Sequence, residues 1–216
     1  MTTATKAAGP RRPAKLTYTG DEAADRLLAE NPLAMLIGFA LDQQVTVQKA
    51  FAGPLVLRER IGTLDSAAIA KMDAAKLEKA FRTPPAIHRF PANMARRVQQ
   101  LCTHVAETYG GDASRIWTEA ADGRDLDRRL AAVPGIGPMK VRTLVRLLSK
   151  QFGVRPKGYE DFLPGYPTLG DVTSLEQLAE YQQGKRAYKA EMRAKGLDPD
   201  AHLKEHLRGR GGAAKR

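Results

Sequence analysis

The sequence predicts an all-α protein of about ten short helices joined by short connections. Three observations lead there. Apolar residues recur three and four positions apart, as in Met94, Val98, Leu101 and Val105. No segment alternates convincingly at period two, and no repeat of fixed period is visible. Proline and glycine clusters separate the periodic stretches, in TPPAIHRFP, YGGDAS and VPGIGP.

Residues 21–30 (DEAADRLLAE) read as a short amphipathic helix. NPLAMLIGFALDQQ, residues 31–44, follows, with Asn31 suited to the N-cap and Pro32 to the first helical position. Leu33, Ala34, Met35, Leu36, Ile37, Phe39, Ala40 and Leu41 make this segment apolar all round, so it is predicted to be the buried central helix. Helices are expected over 48–60, 65–71 and 74–82, then a proline-stiffened loop over 83–91. A long helix spans 92–108 and breaks at Gly110–Gly111. Leu126, Leu130 and Val133 form one apolar face over 125–133, and Val141, Leu144, Val145 and Leu148 form another beyond a glycine turn. Residues 153–167 read as loop. Thr173 and Glu176 have capping-box spacing and open a helix to about residue 195; a last short helix is expected after Asp198.

The 216 residues suffice for one sizeable core. The net charge is +11, unevenly spread: residues 1–15 hold four basic residues and no acid, and residues 205–216 hold four basic residues and one acid. Both ends are read as disordered basic tails, which attract polyanions without specifying one. Cys102 is the only cysteine, which excludes an internal disulfide framework and fits a reducing compartment. It sits among Leu101 and Val105 and reads as buried. No run approaches the ~18 apolar residues of a membrane span, and the N-terminal residues lack a secretory apolar region. A cytoplasmic, nucleoid-associated monomer without cofactor or metal is expected.

VPGIGPMKVRTL, residues 133–144, carries the chemistry. Two helices fold back on each other there, with Ile136 as the plug between them. The turn over Pro134, Gly135, Ile136 and Gly137 then presents free N–H groups at the start of the second helix, a ready site for a phosphate. Lys140 and Arg142, with Thr143 and Arg146, lie off the apolar stripe; Lys140 is expected to face the phosphate. An ordinary helical hairpin with a glycine cap is the structural alternative. Phosphate contacts of this kind position a protein on DNA without reading sequence.

LAAVPGIGPMKVRTLVRLL resembles the helix-hairpin-helix motif of the endonuclease III-like base-excision DNA glycosylases, the HhH-GPD superfamily. LAMLIGFALDQQVTVQKA is similar to the buried helix and following turn of that superfamily, and the order of elements matches over roughly residues 30–165. The resemblance implies a two-lobed all-α fold with the DNA cleft between lobes, and partners it with double-stranded DNA. Residues 16–170 are assigned to this domain, 171–204 to a C-terminal helical extension without a family counterpart, and 1–15 and 205–216 to the tails.

The same resemblance implies site residues. A Gln or Asn after the buried helix fills the gap left by an extruded base, and here Gln43 or Gln44 stands there, Gln44 aligning best. A carboxylate in the loop after the hairpin assists cleavage, and FGVRPKGYEDFLPGYP offers Glu160, in register, and Asp161, of the usual residue type. Solvated surface positions are the alternative for all four. The lysine of the strand-cleaving members is replaced by Met139, so lyase activity is expected to be absent or weak. A lone Cys102 cannot supply the iron–sulfur cluster of some relatives. The expected function is a monofunctional DNA N-glycosylase, a hydrolase; the alternative is a non-enzymatic DNA-binding module on the same scaffold. HLKEH at 202–206 matches an inverted zinc-protease pattern but has no downstream acid as a third ligand, and is read as chance. His88, beside Arg89 and near Arg96 and Arg97, reads as a packing histidine or a cleft residue.

Overall fold

The computed structural model describes residues 12–198, and among them the regular structure is entirely helical. The helices are α1 Glu22–Glu30, α2 Pro32–Leu41, α3 Val47–Ile61, α4 Ser66–Ala70, α5 Ala74–Arg82, α6 Pro91–Tyr109, α7 Arg115–Thr118, α8 Gly123–Ala131, α9 Pro138–Gln151 and α10 Leu175–Ala194, with short 3₁₀ turns at Tyr159–Phe162 and Leu169–Asp171. No helix among the described residues is long and apolar enough to cross a membrane. Residues 1–11 of the N-terminal tail, the helix expected after Asp198, the HLKEH pattern and the 205–216 tail lie outside the described residues.

α2 is the central helix. The Asn31 side chain accepts from Ala34 N–H at 3.0 Å, and every residue from Leu33 to Leu41 is buried against α1, α3 and α6. Burying each of its large apolar side chains is worth about 1.5–3 kcal/mol relative to exposure. The helix is shorter than expected: it stops at Leu41, and Asp42, Gln43 and Gln44 form a turn. The apolar run ends there, so three polar residues would otherwise have entered the core.

α6 carries Met94, Val98, Leu101, Cys102 and Val105 inward and ends on Gly110 at φ 61°. α7 was not anticipated; four residues are too few to show a period, yet it buries Trp117. α8 begins at Gly123, capped by the Asp122 carboxylate. Its Leu126 and Leu130, with Val133, bury together with Val141, Leu144 and Val145 of α9, and Ile136 is 5% exposed between them. The hairpin therefore closes as its pattern requires.

The start of α10 differs in detail. The Thr173–Glu176 capping box does not form; Ser174 caps the helix, and the N–H and hydroxyl of Thr173 both donate to Gln177 Oε1 at 2.8 and 2.9 Å. The capping box forms earlier, between Thr168 and Asp171. Leu169, Val172 and Leu178 join the same core as α2, so the chain passes residue 170 without leaving it. Tyr18, fully buried, donates its hydroxyl to the Leu169 carbonyl at 2.9 Å and ties the N-terminal segment to that turn.

Candidate functional site

A cavity of about 1320 Å³ opens where the end of α2, the start of α9, residues 161–172 and one side of α10 converge. Asp42, Gln43, Met139, Lys140, Arg142 and Asp161 all line it. These residues come from positions more than a hundred apart in sequence.

The hairpin sits at its edge. Gly135 has φ +89°, and a Cβ there would lie 2.8 Å from Arg97 Cδ and 3.1 Å from Ala40 Cβ. Glycine is required both for the turn and for this close seat against α2 and α6. Gly137 is extended (φ −81°), caps α9 with no side-chain cap, and a Cβ there would meet nothing within 4 Å. The α9 N-terminus is thus open at its partially positive end.

Arg97, one of several arginines after His88 with nothing in its local pattern to single it out, joins the hairpin to the polar turn. Its aliphatic stem packs at Gly135, and its Nη1 donates to Gln43 Oε1 at 2.7 Å. Gln43 is therefore held in place. Gln44 is exposed and adopts φ +54°, a left-handed conformation rare for a non-glycine residue. Of the two glutamines, Gln44 is the one presented outward.

His88 supports the same turn from beneath. It is fully buried; one ring nitrogen, Nε2, donates to the Gln43 carbonyl at 2.9 Å, and the other, Nδ1, accepts from Phe90 N–H at 3.1 Å. Its loop is fixed by Arg60, whose guanidinium donates to the carbonyls of Ala80, Thr83 and Pro85. This geometry needs a neutral ring, and burial pushes His88 below the ordinary histidine range. The unfolded chain then takes up the proton first as pH falls. His88's contribution is complete above about pH 6.5 and lost below it, at no more than about 1.4 kcal/mol per pH unit. Thermal unfolding between pH 7 and 5.5 should show wild type losing stability more steeply than His88→Gln; parallel curves would refute the assignment.

Asp161 and Glu160 lie together on the Tyr159–Phe162 turn, and the cavity separates them. Asp161 lines it at an exposed edge, whereas Glu160 is exposed and is not among the lining residues. The turn is seated on α8: Gly123 N–H donates to the Lys157 carbonyl at 2.8 Å, and a Cβ on Gly123 would meet the Gly158 carbonyl oxygen at 2.5 Å.

Two expectations for α9 are corrected. Lys140 does not reach outward to a phosphate: its Nζ donates to the Gly135 carbonyl at 3.2 Å and the side chain lines the cavity. Met139 and Lys140 follow one another in the first turn of α9, and both line the cavity. Burial lowers its pKa to about 8, against the opposing pull of Asp42, while burial raises Asp42 above the usual carboxylate range. Arg142 is likewise not a free phosphate arm. It pairs with Asp127 at 3.4 Å and lies over the Phe162 ring at 5.0 Å, which fastens α9 to α8 and to the Asp161 turn. Met139 lines the cavity where the resemblance places a lysine. Cys102 is buried and its thiol is pushed up to about 12, so it is inert.

No family model matches the chain, and no curated protein or solved structure does either. Among the described residues, no group of three or more His, Cys, Asp or Glu side chains is placed to hold a metal ion.

Proposed function

We propose that the protein binds double-stranded DNA and acts in base-excision repair as a monofunctional N-glycosylase with the two-lobed HhH-GPD fold. One observation supports this reading above the others. Asp161 and the first turn of α9 line one cavity together with the Asp42–Gln43 turn, although they come from three distant segments, and Gln44 stands exposed next to that turn. In this reading the hairpin N–H groups hold a phosphate, Gln44 fills the gap left by an extruded base, and Asp161 stabilises the charge that develops on the sugar. Gln43 is assigned to holding the turn, through Arg97, and Glu160 has no part in the chemistry.

The test is a screen of base release. Duplexes with uracil, 8-oxoguanine, alkylated purines, oxidised pyrimidines or mismatched adenine are incubated with the protein and treated with hot alkali to reveal abasic sites. Release at one lesion is the expected result. Binding should weaken as salt rises, with a slope of about −0.9 per phosphate contacted. Salt-sensitive binding with no release at any lesion would favour the non-enzymatic module, for which Met139 and the exposed position of Asp161 already speak. Salt-insensitive binding would remove the phosphate assignment.

A further inference from the structure

α10 is an unusual helix to find against a core. Only Leu178 of its residues is buried. Its Gln177, Glu180, Tyr181, Gly184, Lys185, Tyr188 and Lys189 face the cavity instead. These positions follow steps of three and four, so they form one continuous stripe along the helix. The stripe is polar and aromatic, which is wrong for docking onto an apolar partner helix.

Gly184 stands at the middle of this stripe. Glycine is the weakest helix former apart from proline, and in a helix interior it usually marks a close approach. Here a Cβ would meet nothing within 4 Å. The folded chain itself does not need the space, although the sequence keeps it open at a cost to helix stability. Tyr181 lies three residues before Gly184 and Tyr188 four residues after it, both half-buried. With a rise of about 1.5 Å per residue, the two tyrosines stand about 10 Å, or two turns, apart along the helix with the bare backbone between them. The Lys185 Nζ lies 5.7 Å from the centroid of the Tyr181 ring. Aromatic faces beside a lysine are the elements that hold an unpaired nucleotide, by stacking on its base and attracting its phosphate.

We propose that this stripe of α10 is the outer wall of a site for an unpaired nucleotide of a DNA strand. The base lies over Gly184 between Tyr181 and Tyr188, and Lys185 meets the phosphate. This rests on the reading of the cavity as the receiver of an extruded base, and adds to it a wall from outside the resembling region.

The experiment uses the full chain and two fluorescein-labelled probes read by anisotropy: a single-stranded oligothymidylate and a fully paired duplex. Gly184→Leu fills the space with a strong helix former. Its melting temperature should equal or exceed that of wild type, while its affinity for the oligothymidylate falls about tenfold or more. Tyr188→Leu should lose about fivefold or more, the cost of one stacked base. Affinity for the paired duplex, held by the hairpin, should not change. Thymidine 5′-monophosphate should compete only at far higher concentration than the strand. If wild type does not bind oligothymidylate, if Gly184→Leu binds it undiminished, or if that variant melts lower, the α10 site is overturned. Equal competition by the mononucleotide would overturn the strand as its ligand. Failure of the paired duplex to bind, with oligothymidylate binding still lost in Gly184→Leu, would overturn the hairpin assignment and leave the α10 site standing.

Discussion

Asp161→Asn is expected to slow base release about a hundredfold or more while leaving DNA affinity within about twofold of wild type. The substitution keeps the shape of the side chain and removes its charge, so it isolates the electrostatic role. Asp161 lines the cavity and lies on a turn held from two sides: by the contact of Gly123 with the 157–159 backbone, and by Arg142 over Phe162. Glu160→Gln should retain activity, because Glu160 does not line the cavity. Single-turnover release from the lesion found in the screen is the measurement. Loss of activity in Glu160→Gln with retention in Asp161→Asn would reverse the assignment.

Gly135→Val is expected to destabilise the protein by about 2–4 kcal/mol and to abolish duplex binding. Two effects add. A β-branched residue is strained at φ +89°, and its Cβ would sit 2.8 Å from Arg97 Cδ and 3.1 Å from Ala40 Cβ. Relief requires Arg97 to move, and Arg97 also holds Gln43. The damage should therefore spread from the hairpin to the polar turn. Gly137→Ala is the control, because its backbone is extended and its Cβ would meet nothing within 4 Å. It should fold with little change in stability yet bind duplex DNA several-fold more weakly, since the methyl group projects where the phosphate approaches. Denaturant midpoints and anisotropy titrations separate the two outcomes. A stable, binding-competent Gly135→Val protein would refute the seat described for the hairpin.

The helical class, the buried α2 and the α8–α9 hairpin were all legible in the sequence, because each depends on local spacing. An unbroken apolar run from Leu33 to Leu41 can only be buried, and two apolar faces flanking Gly135 and Gly137 can only fold together. The residue at which α2 ends is not legible, because helical spacing does not show where an apolar run hands over to a polar turn. Lys140 faces the cavity rather than the phosphate because a turn of about 100° from Met139 does not carry it clear of a cavity that both residues line.

The sequence by itself determined the helical segments other than the four-residue α7, the apolar faces of the longer ones, and that a bare glycine turn separates α8 from α9. These follow from interactions among residues a few positions apart. Only the tertiary structure decided how the polar groups are used. Gln43 is held by Arg97 and Gln44 turned outward, Asp161 is brought to the cavity and Glu160 left outside it, and α10 is laid along that cavity with Gly184 open. Each of these depends on contacts between residues far apart in the chain, which no local pattern encodes.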